Sequence, residues 1–421
     1  MKQAQARNYA VLFIICFLVT AFAGVVSTLM SVYLPVVVKD LLGNKSADEL
    51  NNISAYINAV FILGGALGGF IAGFICDKFG RKTAVIFATA CLGLFTLLTG
   101  YMPNWWSIVI CRFFCGCGLG AILVATTTLV MEEWPIKTKA IFMGFLSIAI
   151  PVGIFSAGLI DYFVSSWRQA FTIGILPLLI AILSVWLLKE SSQWKNNRIA
   201  AINKPPISKD TFSSDHKTNL LKGSLVFGSM LIGLWAIFSW LPTWIQSLAA
   251  GEDAQKPRGI SMMMLGMGGL AGGVLSGWLT NAIGARKAML LCFSVCAAMS
   301  FILFKISTVL SPVLYAEILI LALFFGASQG VLSVYIPGLF PVGIRGTATG
   351  FCFNIGRIVT ATAVLFVGVL VTELGGYGNA LFIFSTVFII GLVVTFFSND
   401  TVVRQETENL PAIAEELIGN S

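Results

Sequence analysis

Twelve stretches of roughly 20 or more apolar residues run through this chain between short charged turns, and no water-soluble fold can hide them all. They lie at about 9–34, 52–76, 83–102, 105–131, 140–164, 168–188, 223–248, 259–281, 288–310, 312–339, 347–373 and 376–398. Only 11% of the residues are charged, against about 25% in a soluble domain, so lipid must solvate most of the surface. A helix satisfies its own backbone in lipid. The expected class is therefore all-α integral membrane, with twelve transmembrane helices. The first run continues apolar past the small-residue site Ala21-Phe-Ala23, which reads as a span and not as a cleaved signal peptide.

The chain is duplicated. Gly73-Phe-Ile-Cys-Asp77-Lys-Phe-Gly80-Arg81-Lys82 returns as Gly277-Trp-Leu-Thr-Asn281-Ala-Ile-Gly284-Ala-Arg286-Lys287, 204 residues later. Pro135-Ile-Lys-Thr-Lys139 through Gly144-Phe145 returns as Pro341-Val-Gly-Ile-Arg345 through Gly350-Phe351, 206 residues later. Two similar membrane halves are how many solute carriers are built. The expected division is a six-helix bundle at 1–188, a polar linker at 189–222, a second six-helix bundle at 223–398 and a polar tail at 399–421. Lys and Arg divide about 18 to 6 in favour of the face carrying both termini and the linker. By the positive-inside rule that face is cytoplasmic.

Several function classes drop out. The net charge is +7, but the basic residues sit between apolar runs, as topology signals do, so no nucleic-acid partner is expected. All nine cysteines lie inside apolar stretches and the single histidine, His216, lies in a polar loop, so no metal site is expected. No catalytic constellation and no phosphate-binding Walker loop is present. The expectation is a non-enzyme without cofactor, whose partners are the bilayer, a small solute and a proton.

Two arginines stand well inside apolar runs, Arg112 and Arg357. A cation there costs roughly 2.5–3.5 kcal/mol on insertion scales unless it meets partners or water. Arg357 lies about 15 Å into its helix, where carriers bind substrate. Its planar fork suits a carboxylate, and Asn354 lies one turn away on the same face. Arg112 allows pairing with Asp161 or with backbone carbonyls. Glu317, five residues into its run, is a candidate proton carrier, as is Asp161. Asp77, Gly80, Arg81, Lys82, Glu132, Lys139 and Arg345 form the expected mixed-charge latch that holds the two halves together in one state and releases them in the other. Glycines at Gly64, Gly68, Gly69 and Gly73, and again at Gly268, Gly269, Gly272, Gly273 and Gly277, allow close helix packing or sliding.

These residues resemble the major facilitator superfamily. Asp77-Lys-Phe-Gly-Arg-Lys82 is similar to its loop 2–3 signature and Arg112-Phe-Phe-Cys-Gly116-Cys-Gly118 to its helix 4 signature. Glu132-Glu-Trp-Pro-Ile-Lys-Thr-Lys139 and Lys189-Glu190-Ser-Ser-Gln-Trp194 resemble elements after helices 4 and 6 of the sugar-porter-like branch. Trp235 through Pro242 and Arg345 through Arg357 resemble the metabolite:proton symporters, which include sialate and aromatic-acid carriers. The resemblance implies a monomeric secondary carrier of the bacterial inner membrane, symporting an organic anion with protons by alternating access. It implies that helices 7 and 10 line the cavity, which makes Trp235, Trp240, Gln329 and Tyr335 substrate candidates beside Arg357 and Asn354. It gives Arg112 a part in proton coupling or gating. The chain departs from the family pattern in lacking an acid in helix 1, in Asn281 and in Gly338 opposite Glu132. A sugar or polyol symporter, an exporter and a receptor on a carrier fold are the rival readings.

Overall fold

The computed structural model describes residues 2–43, 45–192, 194–195, 214–249, 254–307, 309–340 and 345–398. Twelve helices are long and apolar enough to cross a membrane: α1 (Asn8–Leu42), α2 (Ala47–Cys76), α3 (Arg81–Thr99), α4 (Trp105–Glu133), α5 (Phe142–Phe163), α6 (Trp167–Leu187), α7 (His216–Leu248), α8 (Gln255–Ile283), α9 (Ala285–Ile306), α10 (Pro312–Gly338), α11 (Ala348–Glu373) and α12 (Tyr377–Phe396). The helix that contains α7 starts at Ser214, inside the stretch read as linker; the rest of that stretch beyond Lys195, and the tail at 399–421, lie outside the described residues. The helix containing α8 begins at Gln255, four residues ahead of the expected 259, and this brings Arg258 into a span. In α5 the helix breaks at Ile148, just ahead of Pro151, whose ring crowds the preceding turn.

Glycine sets how the helices pack. In lipid there is little hydrophobic drive between helices, so close backbone approach and van der Waals contact must supply the adhesion. A methyl at Gly64, Gly68 or Gly120 would land on the carbonyl oxygens of Phe113, Cys117 or Gly65, which presses α2 onto α4. The duplicated positions behave alike: Gly268, Gly272 and Gly326 press on Leu319, Leu323 and Gly269, and join α8 to α10. These glycines are static packing inside each half. A second row faces across the halves, where Gly269 and Gly273 meet Pro151 and Ile148 of α5.

The halves meet along two seams, α2 against α11 and α5 against α8, with α1 against α7 between them. The far ends of the seams, away from the linker, are closed. There Gly158 packs on Gly259, Gly368 packs on Asn51, Thr372 donates to Asp48 (2.8 Å) and Tyr377 donates to Asn51 (2.6 Å). At the linker ends of the same four helices, a side chain added at Gly73, Gly144, Gly277 or Gly350 would meet nothing within 4 Å. The molecule is therefore shut on its far face and splayed on the face carrying the linker.

Candidate functional site

Arg357 is the group that reaches across the opening. It lies nine residues beyond the start of α11, about 14 Å along the helix, a little to the linker side of the middle. A methyl built on Gly69 of α2 would be 3.6 Å from its Nη1, so the guanidinium points at the opposite half and not at lipid. It has no protein hydrogen bond or ion pair among the described residues. Asn354, one turn below, donates to its own helix at the Gly350 carbonyl (3.0 Å) and leaves its buried Oδ1 without a partner. Both were expected on this face.

Above them an aromatic pair bridges the halves. Trp235, midway along α7, packs on Phe61, midway along α2, with ring centroids 6.2 Å apart. Phe61 stands eight residues from Gly69, about 12 Å farther from the linker face. Arg112 lies beyond this pair. It is 1% exposed, sits 3.9 Å above the Phe61 ring and donates Nη1 to the Val26 carbonyl (3.2 Å). It forms no ion pair with Asp161, which the structure gives to another arginine, and its buried Nε has no partner.

Gln329 is exposed on α10. With Ser333 it falls on the side opposite Val313, Ala316 and Ile320, the exposed apolar stripe that meets lipid. Gln329 therefore belongs to the inner face. Trp240 and Tyr335 do not. Both are 0% exposed within the core of the C-terminal half, where Trp240 packs 6.0 Å from the Tyr377 ring. They were expected to line the cavity, and this is corrected: helices apolar on every side give no periodicity by which to choose the inward face. Glu317 is set apart too. It accepts from Ser307 (2.6 Å) in the turn between α9 and α10 and faces neither arginine.

The expected proton candidate Asp161 is 0% exposed at the closed far end of the α5–α8 seam, 3.4 Å from Arg258 of α8. Arg258 also donates Nη1 to Gln246, and Gln255 donates to the Asp161 carbonyl (2.7 Å). The expected span 259–281 leaves Arg258 just outside the membrane, whereas the helix begins at Gln255. The signal available was its place directly before the glycine-rich run of α8.

Of the expected charge latch, the side chains of Arg81, Lys82 and Glu132 are described, and they gather on the linker face. Arg81 binds Glu132 (2.9 Å) and the Cys76 carbonyl (2.7 Å). Ser191 donates its hydroxyl to the other Glu132 oxygen. Glu190, absent from the expected set, accepts backbone N–H bonds from Arg81 (2.8 Å), Lys82 (3.1 Å) and Ser191 (2.9 Å), a carboxylate capping the N-terminus of α3. Lys82 donates to the Val185 carbonyl (2.6 Å). These contacts brace the N-terminal bundle and tie it to the first residues of the linker. The side chains of Asp77, Lys139 and Arg345 lie outside the described residues. In the second half Arg286 donates to the carbonyls of Thr395 and Phe396. Gly80 holds φ +103°, and a methyl there would collide with the Glu190 carboxylate. Gly80→Ala is expected to cost about 1–3 kcal/mol, read as a lower unfolding temperature of the purified chain; an unchanged temperature contradicts this account.

Among the described residues no group of His, Cys, Asp and Glu could hold a metal. A sequence model of the Major Facilitator Superfamily matches residues 12–364. The chain is 26% identical to a cis,cis-muconate transport protein of Acinetobacter baylyi, over 84% of this chain and 87% of that one. It is 28% identical to the sialic acid transporter NanX of Escherichia coli, over 79% and 81%. Its fold superposes on the inward-open xylose transporter XylE of E. coli with TM-score 0.76 at 16% identity, covering 92% of this chain and 95% of that one.

Proposed function

Because the chain belongs to the Major Facilitator Superfamily, whose members are multi-pass membrane transporters and not enzymes, we propose that it carries a small carboxylate across the bacterial inner membrane by alternating access, coupled to protons. The observation that carries this reading is Arg357: a guanidinium between the halves, open on the linker side, with no carboxylate of the described residues against it. A lone cation at that depth is costly, and a cargo that brings its own carboxylate offsets the cost through a paired, charge-assisted bond. Asn354 and Gln329 would orient polar groups on the cargo, and the Trp235–Phe61 pair would cover its apolar body. The relatives that transport muconate and sialic acid, both carboxylates, support the same class.

With the basic linker face inside the cell, the closed far ends of the seams support reading this arrangement as inward-open, in a carrier that works as a single chain. Asp161 is the titratable group best placed for coupling. A proton on its carboxylate removes the charge that holds Arg258 and loosens the outer seam from the more acidic side. Arg112 lacks the carboxylate partner that direct proton exchange needs, so its part is positional: it holds Phe61 beneath it.

The test is uptake by proteoliposomes containing the purified chain, with cis,cis-muconate, sialic acid and xylose as solutes. A carboxylate should accumulate saturably, faster when the outside is acidic, while xylose does not. Xylose uptake without carboxylate uptake defeats the proposal, and carboxylate uptake indifferent to the pH gradient defeats its proton-coupling part.

A further inference from the structure

A second polar hollow lies on the far face, directly outside the Asp161–Arg258 pair. It measures about 770 Å³, and its lining includes Lys39, Asp40, Ser165, Gln246, Gln255 and Arg258. Its charges are unevenly committed. Asp40 is engaged by the Trp167 Nε1 (3.1 Å) and by Arg168 (3.4 Å). Lys39 is exposed and its ammonium has no partner among the described residues. The Gln246 side chain accepts from Arg258, and among the described residues its amide nitrogen has no acceptor. Arg258 itself is 4% exposed, and its buried Nε has no hydrogen-bond partner. Among the described residues, free donors and one uncompensated positive charge thus surround a space whose inner wall is the outer seam.

We propose that this hollow is an outer capture site for the carboxylate of the cargo, separate from the site at Arg357, and that the bound anion competes with Asp161 for Arg258. The proposal rests on the carboxylate-carrier reading. A positively biased cleft raises the local anion concentration and the rate of encounter. An anion seated between Lys39 and Arg258 offers the guanidinium a second carboxylate. Asp161 can then leave without stranding a buried cation, a step that is otherwise strongly unfavourable. Arrival of cargo and release of the outer seam become one event. Lys39 fits a guiding role because its flexible ammonium can follow the anion inward, while the fork of Arg258 supplies the directional contact.

The experiment titrates cis,cis-muconate and sialic acid into the full-length chain in lipid nanodiscs at low salt, by calorimetry. The variants are Arg357→Ala, Arg357→Ala with Lys39→Gln, and Arg357→Ala with Asp161→Asn. Arg357→Ala should remove the tighter site and leave a weak one that fades with added salt. Lys39→Gln should weaken that remainder roughly three- to tenfold, and in an otherwise unaltered chain should raise the KM for uptake by a similar factor with the maximal rate within about twofold. Asp161→Asn removes the competing carboxylate and should tighten the residual site. If Arg357→Ala leaves no binding while the unaltered chain binds, the capture site is wrong and the central reading stands. If Arg357→Ala binds as the unaltered chain does and Lys39→Gln abolishes binding, the central reading is wrong and the capture site stands. Residual binding indifferent to both Lys39→Gln and Asp161→Asn overturns the capture site, and no anion binding by the unaltered chain overturns both.

Discussion

Arg357→Ala is expected to abolish carboxylate uptake while leaving the chain folded and no less stable. Two opposite effects act on one side chain. With cargo bound, truncation removes one partner of a desolvated charge pair, which costs about 2–5 kcal/mol, or roughly 30- to 5,000-fold in affinity. Without cargo, truncation removes a cation that lies between helices with no partner among the described residues, so the unliganded chain loses a desolvation cost. Uptake should vanish and the unfolding temperature of the unliganded protein should hold or rise. Arg357→Lys separates charge from geometry: a point charge attracts a carboxylate but cannot make the two parallel bonds of a guanidinium. Its affinity should fall between those of the alanine variant and the unaltered chain. Normal uptake by Arg357→Ala would remove the central site from this account, and a steep fall in its unliganded stability would show that the residue braces the fold.

Arg258→Ala is expected to change the resting state of the carrier. Asp161 is 0% exposed and faces Arg258 across the α5–α8 seam at 3.4 Å. Removing the cation takes from the buried carboxylate the guanidinium it faces, and breaking one side of a buried pair costs about 3–5 kcal/mol. That penalty falls on the state with the far face closed, because opening lets water reach Asp161. The equilibrium should move toward far-side opening by roughly 100- to 5,000-fold. A cysteine at Ser261, buried one turn along α8 from Arg258, reports the change. A membrane-impermeant thiol reagent applied outside should label it much faster in the Arg258→Ala background than in the unaltered background. The same variants without Ser261→Cys correct for the native cysteines. Equal labelling rates would mean that glycine packing, as at Gly158 on Gly259, closes the seam without the ion pair.

The candidate site was legible in the sequence where rarity carried the signal. A charged residue deep in an apolar run is expensive wherever it points, so Arg357 and Arg112 stood out before any geometry. Trp240 and Tyr335 were misread because the cost of an aromatic side chain in lipid differs little between an inward and a sideways position. Gln329 differs from them, since an amide is not indifferent to lipid, and it lies opposite the exposed apolar stripe of α10. The charge cluster at Arg81, Lys82 and Glu132 was found, but its partners were not. Whether those groups hold one half or join two depends on Glu190 and Ser191, which return from the end of α6 to meet them.

The sequence by itself determined the solvent, the helix count and the twofold repeat, since hydropathy and duplicated glycine spacings are local and additive along the chain. It also placed two cations, Arg112 and Arg357, deep in apolar runs. Tertiary structure alone decided which of them faces the opposite half, that Asp161 pairs with a residue 97 positions away, and which ends of the seams are closed. Those are relations between helices, and an apolar helix in lipid can be turned about its axis at little cost until its neighbours set its orientation.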